Sequence, residues 1–329
     1  MLNKRVNGEP FFITGALGCI GAWTVRNLVR QGARVTVFDL GRDVHRLRLI
    51  MTPAELEQVA FVHGDITDLD SVETALRTSG AMRVIHLAAL QVPFCRADPS
   101  LGARVNVVGT VNVLEAARRI GASRVVYASS VAVFGSSEED PDASVADHAP
   151  LVPGNLYGVY KQANEGTARI YWQDWGVCSI GLRPHTLYGP GRDQGLTSSP
   201  TKAMLAAAAG LPYHIPYGGR GGMQYADDIA NIFIRSALVD FSGAAVFNVR
   251  GSVVDMAEIV AAIEHAVPEQ RGTITYDPKP LPLPADLDDS RLRVLIGDLP
   301  NTSLADGVQS TIELFRAALA DGRLTTERL

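Results

Sequence analysis

The sequence predicts an α/β protein: a doubly wound, Rossmann-type parallel sheet with a smaller C-terminal substrate-binding region. Three observations carry that reading. Short β-branched runs alternate with helical patterns through the first half of the chain, the sign of βαβ units. A glycine-rich turn follows the first of those runs and opens a helix. After about Arg183, prolines and glycines punctuate only short elements, among them Pro184, Gly189, Pro190, Gly191 and the cluster from Gly218 to Gly222. Residues 1–182 therefore read as the dinucleotide-binding half, with a returning segment near 225–250, and residues 183–329 as the substrate-binding region.

In chain order, strands are predicted over 11–14, 34–39, 60–63, 83–87, 124–128 and 177–182. Between the last of these but one and its predecessor, Leu101, Val105, Val108, Val111, Leu114 and Ala117 recur at spacings of three and four, which predicts one helix with one apolar stripe. Ser199-Pro200 reads as an N-cap with proline at the first helical position, opening a helix to Ala209.

Composition excludes several classes. Of 329 residues, 20% are charged and 47% apolar, so the chain buries a full core. A net charge of −5, from 35 acids against 30 bases without long runs, argues against nucleic acid and anionic membrane surfaces as partners. Three widely spaced cysteines and seven unclustered histidines predict neither a disulfide framework nor a metal site, and a reducing cytoplasm. Lys4 and Arg5 precede an apolar stretch over 11–23 that superficially resembles a signal peptide. Three glycines interrupt it, however, and no small-residue cleavage site follows. No apolar run approaches the ~18 residues of a membrane span.

The glycine-rich turn, Gly15-Ala16-Leu17-Gly18-Cys19-Ile20-Gly21, lets a helix N-terminus meet a pyrophosphate. Asp39 ends the second strand 18 residues past Gly21, where a carboxylate accepts hydrogen bonds from the adenosine ribose and repels a 2′-phosphate. NAD is thus expected over NADP, with Arg42 the one feature favouring the latter.

Tyr157 and Lys161 stand four residues apart on one helical face. The lysine's charge is expected to lower the phenol's pKa, giving a base for the proton of a carbinol as hydride leaves. Ser130, just past the strand at 124–128, stands where α/β sheets present ligands and is expected to bind the substrate oxygen.

Together these residues resemble the extended short-chain dehydrogenase/reductase superfamily, in its NAD-dependent epimerase/dehydratase branch. The likeness runs through Thr14 to Gly21, Gly64-Asp65, His86-Leu87-Ala88-Ala89, Asn106 with Gly109-Thr110, Ser129-Ser130 to Phe134-Gly135, the Tyr157/Lys161 pair, Leu182-Arg183-Pro184, Tyr188 to Gly191 and Asp227-Asp228. The resemblance implies that Gly15, Gly18 and Gly21, with Cys19 and Ile20, line the pyrophosphate. It places Asp39 at the ribose and Asp65 with Ile66 at the adenine. Leu87, Ala88, Ala89, Gln91, Ser129 and Pro184 would follow toward the nicotinamide, with Ser130, Tyr157 and Lys161 as the catalytic group, the last two also touching cofactor. It implies a homodimer through helices near 101–119 and 156–173. His86 falls in a structural signature and reads as a core histidine.

Such enzymes include epimerases, dehydratases and dehydrogenases. Val131-Ala132 after Ser130 supply no carboxylate for elimination, which disfavours a dehydratase. Relatives that act on nucleotide sugars carry an asparagine and an arginine where this chain has Thr186 and Gly221, although Arg220 adjoins the latter. The expected substrate is therefore a smaller polar alcohol, a sugar or sugar acid. Its candidate contacts are Gln91, Ser130, His185, Thr186, Arg192, Lys202 and Arg220. A nucleotide-sugar 4-epimerase, a dehydrogenase of a non-carbohydrate alcohol and a catalytically silent NAD sensor are the alternatives. The intact Ser130, Tyr157 and Lys161 count against the last.

Overall fold

The computed structural model describes residues 6–136 and 143–329, so Lys4 and Arg5 lie outside the described residues. The chain opens β1 (Pro10–Thr14), α1 (Cys19–Arg30), β2 (Arg34–Asp39), α2 (His45–Ile50), α3 (Pro53–Leu56), β3 (Val59–His63), α4 (Leu69–Ser79) and β4 (Arg83–His86). It continues α5 (Val92–Ala97), α6 (Pro99–Ala103), α7 (Gly109–Ile120), β5 (Arg124–Ala128), β6 (Ser144–Val145), α8 (Leu156–Trp175), β7 (Ser179–Arg183) and β8 (Thr186–Tyr188). Then follow α9 (Ser199–Ala208), β9 (Tyr213–Ile215), β10 (Arg220–Tyr225), α10 (Ala226–Leu238), β11 (Ala244–Asn248), β12 (Ser252–Asp255), α11 (Met256–Ala266), β13 (Ile274–Tyr276), β14 (Asp286–Leu287), α12 (Ser290–Ile296) and α13 (Leu304–Ala320).

Seven strands form one parallel sheet in the order β11-β7-β5-β4-β1-β2-β3. The winding reverses between β1 and β4, and a crevice opens at such a reversal, outside the carboxyl ends of the strands. The inner strands read as continuous apolar runs because both sheet faces are covered: Phe11, Phe12, Ile13, Val84, Ile85, Val125 and Val126 are buried. One apolar core, around α1, α10 and α13, covers one face. A second, around α4 and α7, covers the other. Smaller sheets, β12-β10-β8, β13-β9 and β14-β6, build the region beside the strand ends. No helix among the described residues is long and apolar enough to cross a membrane.

Two predicted helices change on inspection. The stripe from Leu101 to Ala117 is not one α-helix. Residues Arg104–Val108 widen into a π turn between α6 and α7. There the Asn106 side chain accepts from Leu90 N at 2.7 Å and donates to Leu90 O at 2.9 Å, a tertiary demand that overrides the regular turn. Leu114 and Ala117 are buried, but Leu101 and Val108 are exposed. At α9 the cap position belongs to Ser198. Ser199 is already helical, its hydroxyl donating to Leu196 O at 3.0 Å, and the helix ends at Ala208.

A buried ion pair locks the end of β7 to α8. Arg183 grips Glu165 through two hydrogen bonds of 2.8 and 2.7 Å and donates to Asp147 O at 2.8 Å, while Ser129 donates to the same carboxylate. Both charged side chains are almost fully enclosed. Removing one partner strands the other without water, so Arg183→Met is expected to destabilise the fold by about 3–5 kcal/mol. Denaturant titration checks this; a loss under about 1 kcal/mol, the scale of an exposed pair, would contradict it.

Candidate active site

A cleft of about 1030 Å³ runs across the carboxyl ends of the strands. It is lined by every residue the sequence places at the cofactor and catalytic positions: Gly15, Gly18, Cys19, Ile20, Gly21, Asp39, Asp65, Ile66, Leu87, Ala88, Ala89, Gln91, Ser129, Ser130, Tyr157, Lys161 and Pro184. Of the substrate candidates, His185, Thr186 and Arg192 line it as well. Lys202 and Arg220 do not. Lys202 lies on a small adjoining cavity of about 30 Å³ beside Leu49, Phe315 and Leu324, which shares His45, Gly191, Arg192 and Asp193 with the cleft. Arg220 begins β10, opposite Asp255 of β12, on an exposed rim.

The cradle at the first turn is steric. Gly15 has φ +69°, and a Cβ there would stand 2.3 Å from Ala88 N. Gly21 packs equally close, with a Cβ position 2.5 Å from Ala16 Cα. The helix starts at Cys19, inside the glycine-rich turn, with Gly18 as its cap. Its first turn contains no acid, so the dipole is open to an anion. The charges of Arg46 and Arg192 also reach this turn, as their pull on the Cys19 thiol shows; burial nonetheless pushes that thiol up to about 11. Asp39 is oriented by two backbone donors, Leu17 N at 3.0 Å and Gly41 N at 2.9 Å. Ile66, which lines the cleft beside Asp65, is held at its carbonyl by Asn112 Nδ2 at 2.9 Å and packs against Gly109. These features fit a dinucleotide: a backbone cradle no side chain could share, a helix N-terminus and a carboxylate at the end of β2.

The catalytic candidates converge past β5. Ser130 Oγ accepts from Ala132 N at 3.2 Å and lines the cleft together with Tyr157. Lys161 Nζ donates to Ala128 O at 2.6 Å and lies 5.5 Å from the Tyr157 ring centre. Burial raises the Tyr157 phenol; the Ser130 hydroxyl and the Arg192 charge lower it, and Cys95 opposes them. Lys161 is itself pushed down to about 8 by burial.

Two histidines are spoken for. His86 accepts from Thr14 Oγ1 at 2.6 Å and donates to Thr110 Oγ1 at 3.0 Å; burial pushes it down to about 3 and keeps it neutral. His185 accepts from Thr186 N at 2.7 Å and donates to Pro284 O at 2.7 Å, so neither ring nitrogen is available as a base.

Sequence reasoning missed several cleft residues: Arg46 and His45 on α2, Asp193 beside Arg192, Arg96 on α5 and Leu281 to Leu283. Asp193 had a local signal, a charge next to a singled-out arginine. The 281–283 segment had none, because only the long-range fold brings it to the cleft.

The sheet, the glycine cradle and the Ser130–Tyr157 pair beside Lys161 define a dinucleotide-dependent oxidoreductase of the Rossmann class. The profile of the NAD dependent epimerase/dehydratase family matches residues 11–249. The chain belongs to that family, in the extended short-chain dehydrogenase/reductase superfamily, and is an NAD-dependent enzyme. It is 30% identical over 315 residues to a UDP-glucose 4-epimerase of Mycolicibacterium smegmatis, covering 92% of this chain and 97% of that one. Among solved structures it is similar to the UDP-glucose 4-epimerase of Thermus thermophilus in complex with NAD, with TM-score 0.78 and 26% identity, covering 94% and 99% of the two chains. It is similar also to an L-threonine dehydrogenase from Cupriavidus necator, with TM-score 0.77 and 26% identity over the same shares.

Proposed function

We propose that this enzyme takes hydride from a secondary alcohol of a sugar or sugar acid, with Tyr157 as the base. The observation that carries the reading is the meeting of Ser130, Tyr157, Lys161 and Arg192 in one cleft, with Lys161 Nζ 5.5 Å from the Tyr157 ring centre. Bound NAD would supply the hydride-accepting ring. Ser130 would hold the substrate hydroxyl, and Tyr157 would take its proton. Lys161 would support the phenolate and bind the nicotinamide ribose. Residues 1–182 with the return near 225–250 would then serve the cofactor, and the remainder the substrate.

Arg192 is our candidate to hold a substrate carboxylate or phosphate. It lines the cleft, is steadied by Thr197 Oγ1 at 2.6 Å and has a buried Nε without a partner. A nucleoside diphosphate finds less compensation. His185 packs under β10, so that a Cβ at Gly222 would meet its ring at 3.0 Å and one at Gly221 would meet it at 3.7 Å. Thr186 offers no amide.

The test is a screen of polyols, sugar acids and nucleotide sugars, following NADH and product identity together. UDP, GDP and dTDP are expected to leave the melting temperature of the NAD-bound protein unchanged at sub-millimolar concentration. A clear rise with one of them would restore the nucleotide-sugar 4-epimerase that the relatives' names suggest.

We further propose a cytoplasmic homodimer. Leu156, Val159, Ala163 and Ile170 line one exposed stripe of α8, and Leu101 and Val108 are exposed on the neighbouring segment. All three cysteines are free, as a reducing compartment allows. Sedimentation should give twice the chain mass, and Val159→Glu should halve it. A wild-type monomer at micromolar concentration would refute the dimer.

A further inference from the structure

The loop between β8 and α9 turns on three glycines at positive φ: Gly189 (119°), Gly191 (89°) and Gly195 (82°). It is nonetheless tied to the dinucleotide half of the cleft. Trp23 Nε1 of α1 donates to Pro190 O at 2.9 Å. Arg46 of α2 donates to Asp193 from Nε at 3.0 and 3.2 Å and from Nη2 at 2.6 Å. His45 Nε2 stands 2.9 Å from the same carboxylate, with its Nδ1 2.7 Å from Asp43. The remaining arm of Arg46, Nη1, donates to Leu17 O in the glycine-rich turn at 2.8 Å. One guanidinium therefore holds the pyrophosphate turn and the substrate loop together. Although burial opposes it, Arg46 holds the Asp193 carboxyl below its usual range, with His45 beside it.

Several features distinguish this bridge from an ordinary surface ion pair. Asp43, His45, Arg46 and Asp193 all line the cleft itself, and Arg46 and Asp193 lie 147 residues apart in sequence. The glycine-hinged loop could swing away but for these ties. The bridge stands beside the glycine-rich turn, to whose Leu17 O it is bonded through Arg46.

We propose that Asp193 is the latch of this cleft: seated between Arg46 and His45, it closes the loop over the cofactor, so that release of the dinucleotide requires the bridge to break. The latch rests on the cofactor reading above and deepens it. Slow release favours a cycle in which the cofactor is regenerated in place over one that discharges NADH at each turnover.

The experiment measures NADH release from the full-length protein. NADH is displaced by excess NAD and followed by nicotinamide fluorescence in a stopped-flow instrument. Asp193→Asn loses charge-assisted hydrogen bonds and is expected to release NADH about ten- to hundredfold faster. Asp193→Glu keeps the charge and should restore much of the slow phase. Glu9→Gln breaks an exposed pair with Arg83 at the start of β4 and should match the wild type. Wild-type release rates in Asp193→Asn, or equal acceleration in Glu9→Gln, would overturn the latch. No substrate enters the measurement, so its failure leaves the substrate reading standing. A wild-type protein that binds no NADH would overturn both the latch and the cofactor reading.

Discussion

Replacing Tyr157 with phenylalanine is expected to cut turnover by about 10²–10⁴ while leaving NAD affinity nearly unchanged. The substitution removes one oxygen. That oxygen is the group whose pKa the Ser130 hydroxyl and the Arg192 charge lower against burial. The ring itself stays, with Lys161 Nζ 5.5 Å from its centre, so the shape of the cleft around it is kept. Burial holds the phenol above its ordinary range in this structure, so the base weakens as pH falls and activity should rise toward alkaline pH. In Tyr157→Phe that rise should vanish along with the rate. Turnover within a few-fold of wild type would mean that another group takes the proton.

A second large effect is expected at Gly15. Substitution by alanine there meets two obstacles at once. The residue sits at φ +69°, a conformation costing roughly 1–2 kcal/mol for an L side chain. The added carbon would also stand 2.3 Å from Ala88 N and 2.6 Å from Leu87 C, both rigid backbone at the end of β4. Gly80 separates the two causes. It has φ +65° at the end of α4, and a Cβ there would meet nothing within 4 Å. Gly80→Ala should therefore cost about 1–2 kcal/mol and leave cofactor binding intact. Gly15→Ala should abolish measurable NAD binding and destabilise the fold well beyond that. Calorimetric titration with NAD, beside denaturant unfolding, checks both. Equal effects at the two glycines would show that backbone conformation, not the close approach of β1 to β4, governs the turn.

Much of this fold was legible because buried parallel strands advertise themselves. The runs at 34–39 and 124–128 appear in the structure with those bounds, and Val35, Val37 and Phe38 of the first and Val125, Val126 and Tyr127 of the second are buried. The glycine turn was legible for the same reason that Gly15 resists substitution: only one residue type fits. That Ser130, Tyr157 and Lys161 line one cleft was legible because helix spacing and the end of a strand fix where side chains meet. What escaped depends on distant partners. The π turn at 104–108 answers to Leu90, and the periodicity of Leu101, Val105 and Val108 contains no trace of that bond. Lys202 and Arg192 looked alike as cations near the same helix, yet only Arg192 enters the cleft. The Arg46–Asp193 bridge spans 147 residues, which no local pattern reports.

The most direct measurement follows a single turnover with the substrate deuterated at the carbinol carbon, at enzyme excess, recording the near-ultraviolet band of reduced nicotinamide. If Tyr157 and NAD act on a secondary alcohol as proposed, the band should appear with a normal primary isotope effect. Its rate should fall by about 10²–10⁴ in Tyr157→Phe. Product formation at full rate with no such band and no isotope effect would contradict hydride abstraction as the enzyme's first chemical step.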